Sequence, residues 1–315
     1  MNRENSTGKN FGGALLVDKP VGPTSHDVVA LARRALGERG IGHTGTLDPL
    51  AEGLLVLLVG RATRLASLLT GAQKTYEATV RLGVATNTFD AAGEPQPASG
   101  ATAPASIDDA AVADACEALR HQRQQVPPAF SAKKIDGVRA YALARRSEAP
   151  EMKPVDVTVH ALDWRRDGAE TVRVTLTVSA GYYVRAMAHD LGQRLRCGAH
   201  LAALRRTAVG PFNVVDAVPL DVLTRETREA ARARVRPMEA LLPDLPAVTL
   251  TDAGERRARH GNTLGSEHVA RWDDRPRAAL SPPRYRVLTG EGQLIAVAEA
   301  SPAGLRPFLV LAPAE

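Results

Sequence analysis

The sequence predicts an α+β protein with a central mixed or antiparallel sheet and flanking helices. Residues 74–82, 155–163 and 171–179 alternate apolar and polar side chains, the pattern of strands with one face on a core and one in water. Helical segments fall among these strands in no regular order, unlike the strict strand–helix alternation of a doubly wound parallel sheet. After Leu242 the chain turns to short strands broken by Pro and Gly. This change of style predicts a second, small β-rich domain over 243–315, with Pro243 to Pro246 as the linker.

Residues 1–11 are expected to be a flexible terminus, and 12–242 a catalytic-size domain. Gly12 to Asp18 (GGALLVD) reads as a buried strand. Thr24 or Ser25 can cap a helix running to Leu36, with Val28, Val29, Leu31, Ala32 and Ala35 inward and Gly37 as its stop. A glycine-punctuated loop over 40–49 precedes the apolar run Leu54 to Val59, and a short helix is expected over 62–69. In the strand at 74–82, Tyr76, Ala78, Val80 and Leu82 share one face. Residues 91–105 read as a loose connection. Ser106 to Asp109 resembles a capping arrangement that opens a helix to Arg120. The segment 121–150 is basic and broken by prolines, which predicts an excursion from the core. A helix is expected over 183–196, ended by Gly198. In the last domain, strands are expected near 247–251, 284–289, 293–299 and 306–312, with one helix at 252–260.

At 315 residues, 44% apolar and 24% charged, the chain is long enough to bury a core without staples. Cys116 and Cys197 are too few for a disulfide framework or a four-thiolate zinc site. No apolar run reaches signal-peptide or membrane-spanning length, so secretion and membrane insertion are excluded and a reducing cytoplasm is expected. With 40 Lys plus Arg against 35 Asp plus Glu, the net charge of +5 permits a nucleic-acid partner without requiring one. The five tyrosines, at 76, 141, 182, 183 and 285, are few enough that most must sit where something specific happens. His160, His189, His200 and the cysteines show no metal-ligand spacing.

The loop from Gly42 to Leu50 carries the chemistry. Its glycines let the backbone approach a ligand closely. Pro49 holds Asp48 towards an extended conformation, which places that carboxylate at a stiff point. By itself an Asp-Pro pair is also an ordinary surface turn. The spacing matches neither a phosphate-binding P-loop nor a dinucleotide fingerprint.

Gly42–Leu55 (GHTGTLDPLAEGLL) closely resembles the signature of the TruB family, the bacterial tRNA pseudouridine synthases that act on uridine-55 of the TΨC loop. The resemblance continues in register through Asp18-Lys19-Pro20 with Gly22 and Ser25, and through Lys74-Thr75-Tyr76 with Leu82-Gly83. Thr86-x-Thr88-x-Asp90-x-x-Gly93 follows, then Pro127-Pro128-x-x-Ser131-Ala132-x-Lys134 with Ala140-Tyr141 and Ala144-Arg145. Gly181-x-Tyr183-Val184-Arg185, Cys197 to Leu201 and Leu204-Arg205-Arg206 complete it. The similarity covers about residues 12–215, and more weakly a PUA-like RNA-binding domain at 243–315. Tyr182 departs from the family's usual small Thr, and Phe130 from its usual Tyr.

The resemblance implies isomerisation of uridine: C1′–N1 breaks, the uracil turns, and C1′ bonds to C5. In that reading Asp48 is the nucleophile, since a carboxylate is ionised at neutral pH without help from a base. Arg185 pairs with it and aims it. Tyr76 stacks on the base and takes part in proton transfer. Tyr183 and Leu204 wall the uracil pocket, and His43 contacts the everted nucleotides. Base flipping is required, because the target lies in a folded loop. Lys19, Lys133, Lys134, Arg139 and Tyr141 are the expected RNA contacts, the last four on the 121–150 segment as a clamp on the tRNA arm. The resemblance implies no cofactor, no metal and no obligate protein partner: a monomer whose partner is the tRNA T arm. Two other readings use the same surface: an RNA chaperone with incidental catalysis, and a guide-RNA-dependent relative. Retention of Asp48, Tyr76 and Arg185 favours chemistry over the first, and the absence of long basic tails speaks against the second.

Overall fold

The computed structural model describes residues 11–96, 102–130, 134–135, 138–139, 152–273 and 282–311. A mixed ten-stranded sheet organises the larger part of it. Its main strands are β1 (Gly12–Lys19), β2 (Ile41–His43), β3 (Ala51–Gly60), β4 (Lys74–Leu82), β5 (Val159–Arg166), β6 (Thr171–Val178) and β7 (Ala199–Val209). The spatial order is β5-β6-β4-β7-β3-β1, with Val218–Pro219 beyond β1 and β2 added beside β3. Pairing is antiparallel except between β3 and β7 and between β1 and Val218–Pro219.

The strands differ in pattern because they differ in cover. In β4 every second residue is buried, and its polar positions face outward. By contrast β1 and β3 are buried on both faces, which explains their nearly unbroken apolar sequences. One face of this pair, with Leu15, Val17, Leu55 and Leu57, belongs to the large core cluster to which α1 (Ser25–Leu36), α2 (Asp109–Arg120) and α3 (Val184–Arg194) also contribute, α2 packing on β5 and α3 on β7. The other face, with Ala14, Leu16, Leu54, Val56 and Leu58, meets Leu294, Val297 and Leu311 of the second domain. Burying both faces ties this side of the sheet to two cores.

Helix α1 begins as its sequence predicts. Thr24 Oγ1 accepts from the Asp27 amide at 3.1 Å, and the Asp27 carboxylate accepts from the Thr24 amide at 2.9 Å. Gly37 ends it at φ 61°. For α2 the cap is Asp108, which accepts from Ala111 N, and not Ser106, whose hydroxyl turns back to the Ala103 carbonyl. Helix α3 is shorter than expected at both ends, with Tyr183 as its N-cap and Leu195 as its C-cap.

Several elements escaped the sequence reading. The eleven-residue strand β7 lies next to the middle of the sheet. Its sequence, AHLAALRRTAV, is rich in helix formers, and two register shifts against β4 break its alternation. The short helices α4 (Leu220–Arg225) and α5 (Arg228–Ala233), which pack against α1, also gave no periodic signal of useful length.

The C-terminal part is β-rich, with β8 (Ala247–Leu250), β9 (Val269–Trp272), β10 (Arg284–Leu288), β11 (Leu294–Ser301) and β12 (Gly304–Val310). They form a five-stranded sheet in the order β9-β8-β10-β11-β12. Helix α6 (Asp252–Arg259), capped by Thr251, covers it over a separate apolar cluster that includes Val248, Leu250, Ala258, Val287 and Leu305. Strand β9 was not foreseen.

Gly53 marks a close approach at the parallel β3–β7 pairing. Its φ is 100°, and a Cβ there would run into the backbone of Arg206. Gly53→Ala is therefore expected to destabilise the protein by about 3 kcal/mol or more, read as a lower midpoint in urea. Gly71→Ala is the control, because open space surrounds that position. Equal midpoints for the two variants would contradict the close approach.

Candidate active site

The loop between β2 and β3 is pinned at nearly every residue. Thr44 N donates to Val56 O at 3.1 Å, and Gly22 N donates to Pro49 O at 2.8 Å. Ser25 Oγ accepts from Leu47 N at 2.8 Å and donates to Leu47 O at 2.9 Å. Beneath the loop lies the buried guanidinium of Arg206, which donates to the carbonyls of Leu54 (2.8 Å), Thr46 (3.3 Å) and Gly45 (3.0 Å). Its many donors in a rigid fork let one side chain tie two neighbouring carbonyls of the loop to a third on β3. The sequence reading quoted Arg206 as part of a motif but gave it no role.

This frame presents Asp48. Its Oδ2 lies 2.9 Å from Nε of Arg185, on the first turn of α3. The two partners differ in exposure: the arginine side chain is 7% exposed and the aspartate 39%. Arg185 is also held from its buried side. Nη1 donates to the Thr88 carbonyl at 3.2 Å and lies 3.4 Å from the Asp90 carboxylate, and Nη2 donates to the Phe130 carbonyl at 2.9 Å. Asp90 in turn accepts from the Thr88 hydroxyl at 2.6 Å and from Ala92 N at 3.0 Å. Between them Phe89 takes a left-handed φ of 65°, and its ring stacks on His189 of α3 at 3.9 Å. That stack holds the 88–90 turn against the helix that carries Arg185.

Tyr76 and Leu204 are brought together. Tyr76 lies opposite Arg206 across β4–β7, and Leu204 lies opposite Ala78 of β4 and Ala51 of β3. Both belong to the apolar cluster that contains Leu47, one residue before Asp48. Tyr183 is half-buried at the head of α3, two residues before Arg185. His43 ends β2; its Nδ1 is buried with no hydrogen-bond partner among the described residues. Burial, and then Arg206 and His26 nearby, hold the His43 imidazole below its ordinary pKa and favour the neutral ring. Tyr182, in the place of the family's usual small Thr, is buried with its hydroxyl unpartnered among the described residues, and burial pushes that phenol upward.

Lys19 is a correction. Expected as an RNA contact, it is buried, and its Nζ donates to the carbonyls of Pro20 and Pro23, each at 2.9 Å. The strand alternation that turns Asp18 outward towards Arg205, at 2.8 Å, turns Lys19 inward. Lys19 therefore ties down the turn beside Asp48. Lys74 is a second buried lysine, with Nζ on the carbonyls of Thr70 and Ala72 at 3.0 and 2.7 Å. Of the expected clamp residues, Lys133 and Tyr141 lie outside the described residues. For Lys134 and Arg139 the backbone alone is described, paired across a two-stranded ribbon, and their side chains lie outside the description. No group of three or more His, Cys, Asp or Glu side chains is placed to hold a metal among the described residues. None of the described helices is long and apolar enough to cross a membrane.

With this geometry in place, comparison with known proteins identifies the family. A family model for the N-terminal domain of TruB family pseudouridylate synthases matches residues 33–184. The chain belongs to the TruB family. A model for the tRNA pseudouridylate synthase B C-terminal domain matches residues 185–243 of this TruB chain. The tRNA pseudouridine synthase B of Burkholderia mallei (strain NCTC 10247) is 43% identical over 295 residues, covering 94% of this chain and 95% of that protein. Its namesake from Mycobacterium sp. (strain KMS) is 41% identical over 310 residues, covering 96% and 97%. Among solved structures, a chain of a Cbf5-Nop10-Gar1 complex aligns with a TM-score of 0.72 at 25% identity, covering 97% of this chain and 86% of that one. A chain of the archaeal box H/ACA sRNP Nop10-Cbf5 complex, at 23% identity and a TM-score of 0.69, covers 98% and 88% and shares the fold.

The buried lysines give a pH signature. Burial, and then Arg206 among the neighbouring charges, lowers both Lys19 and Lys74 from 10.5 to about 8; at Lys19, Asp48 and Glu52 oppose the shift. Between about pH 8 and 10.5 the unfolded chain thus binds protons that the folded protein has released, so these two groups make stability rise with pH across that window. Urea unfolding of the parent and of Lys19→Met/Lys74→Met is expected to show the parent gaining on the double variant from pH 8 to pH 10. Parallel profiles would contradict the burial of these charges.

Proposed function

We propose that this protein isomerises uridine-55 in the TΨC loop of tRNA to pseudouridine, with Asp48 as the nucleophile. The supporting observation is the asymmetry of the Asp48–Arg185 pair. The arginine is buried and fixed by four acceptors, while the carboxylate it aims stays open on its outer side. A nucleophile needs this combination, because its ion pair keeps it charged and directed while one edge remains free to attack. The named relatives, tRNA pseudouridine synthases, support the substrate class.

In this mechanism the target nucleotide leaves its stack, at a cost of a few kcal/mol, and enters the pocket between Tyr76, Leu204 and Tyr183. Tyr76 stacks on the uracil, and His43, neutral and half-buried, contacts the displaced nucleotides. The Asp48 carboxylate attacks C1′ as C1′–N1 breaks. The released uracil turns in place, and C5 then attacks C1′ and expels the carboxylate. One proton is lost from C5 and one gained at N1, with the Tyr76 phenol as the carrier. Atoms and electrons balance within the substrate, so the proposed reaction takes no cofactor. The loop around Asp48 is fixed before substrate arrives, which spares reorganisation in the transition state. We read the C-terminal sheet as the PUA-like RNA-binding domain and the 121–150 segment as the clamp on the T arm.

Two measurements test this reading. In single-turnover assays with saturating enzyme, Asp48→Asn is expected to lose at least about five powers of ten in rate, roughly 7 kcal/mol of barrier, with folding and tRNA affinity nearly unchanged. Glu52→Gln, four residues along the same segment, should stay active. An Asp48→Asn rate within about tenfold of the parent would contradict the nucleophile. For the clamp, neutralising Lys133, Lys134 and Arg139 together should weaken tRNA binding and make the slope of log affinity against log salt shallower by about 2 to 3. An unchanged slope would remove those side chains from the phosphate contacts.

A further inference from the structure

Helix α3 carries Arg185 but starts without a side-chain cap of its own. Its N-cap, Tyr183, is held from 58 residues upstream. The Tyr183 amide donates to Gln125 Oε1 at 2.8 Å, and Gln125 Nε2 donates to the Tyr183 carbonyl at 3.0 Å. That carbonyl also accepts from Met187 N, the first helical bond of α3, at 3.2 Å. Gln125 is buried and lies in the two-residue strand Gln124–Gln125, paired with Val155–Asp156 at the root of the 121–150 segment.

We propose that Gln125 is a positioning residue for the Asp48–Arg185 pair, setting the start and direction of α3 through the Tyr183 peptide. The inference rests on the reading that this pair performs the isomerisation. An ordinary Ser, Thr or Asp cap accepts from amides one turn inside the helix and leaves the peptide at the helix entrance free to pivot. A primary amide presents an acceptor and a donor side by side. Gln125 closes both on the N–H and C=O of one residue, and a two-point contact fixes orientation as well as distance. Tyr183 and Arg185 lie within two residues of that contact, so a pivot at Tyr183 displaces both the pocket wall and the guanidinium.

A second contact from the same segment argues for position over mere stability. Five residues beyond Gln125, the Phe130 carbonyl accepts from Arg185 Nη2 at 2.9 Å. Residues 125–130 thus grip α3 at two places, the peptide where it starts and the tip of its catalytic arginine. No other element among the described residues holds the Tyr183 peptide by a side chain. The neighbouring Gln124 provides the contrast. It is exposed, and among the described residues its amide donates to Asp156 Oδ1, at 3.1 Å, across the local pairing.

The test compares Gln125→Glu, Gln125→Leu and Gln124→Leu with the parent on an unmodified tRNA transcript. Each is measured for tRNA affinity, fraction folded, and single-turnover pseudouridine formation at saturating enzyme. Glu keeps the shape and the acceptor but loses the donor, and Leu loses both. The expected rates fall about tenfold for Gln125→Glu and about a hundredfold for Gln125→Leu, the scale of roughly 1 Å misplacements. Affinity should stay within about twofold, and Gln124→Leu should match the parent throughout. If Gln125→Leu does not fold, the Glu variant decides. A folded Gln125→Glu with the parent's rate overturns the positioning role, as does a loss confined to affinity or to the folded fraction. The parent's own activity separates the two claims: an inactive parent overturns the proposed function, whereas an active parent with equally active Gln125 variants overturns this inference alone.

Discussion

Burying a guanidinium to 7% exposure of its side chain is costly unless acceptors surround it, and the site is built around that requirement at Arg185. Three separate stretches of chain converge to meet it: Asp48 from the β2–β3 loop, Thr88 and Asp90 from the turn after β4, and Phe130 from the segment after α2. Each stretch is then fixed by its own device, whether Ser25 and Arg206 for the first or the Phe89–His189 stack for the second. Removing one of the acceptors on the buried side of Arg185 would leave that charge partly unpaired, which ties the three stretches to one another.

The same logic recurs one layer down. Lys19, Lys74 and Arg206 are buried cations whose hydrogen bonds run to backbone carbonyls. They act as internal braces for the loops that surround Asp48. Using cations for this task concentrates positive charge behind a site that receives a polyanion, and the lowered pKa of the two lysines shows what their confinement costs. Such rigidity suits the proposed reaction, in which the moving part is the substrate's own base.

Much of this was legible in the sequence where the signal was local. A cap at Thr24 or Ser25, the Gly37 stop and the alternation of 74–82 each follow from a few neighbouring side chains, and the structure has Thr24 as the cap, Gly37 as the stop and the alternating strand. Asp48, Arg185, Tyr76 and Leu204 stand in contiguous motifs, and the structure places Asp48 against Arg185 and puts Tyr76 and Leu204 in the neighbouring apolar cluster. What stayed hidden depends on contacts distant in sequence. Strand β7 carries a helix-like composition and becomes a strand because β3 and β4 both pair with it. Lys19 reads as a surface cation until the register of β1 turns it inward. Gln125 gives no sign of its role, since its partner peptide lies 58 residues away. The cap of α2 was misassigned by two residues because Ser106 and Asp108 both suit the position, and the bend at Ala103 draws the Ser106 hydroxyl elsewhere.

The central claim is that this geometry selects one uridine and isomerises it unaided. The most direct measurement maps pseudouridine at single-nucleotide resolution in an unmodified tRNA transcript after incubation with the purified protein, with chelator present and no cofactor added. The account predicts complete conversion at uridine-55 and none at the other uridines. A transcript left unmodified, or modified at a different position, would contradict it.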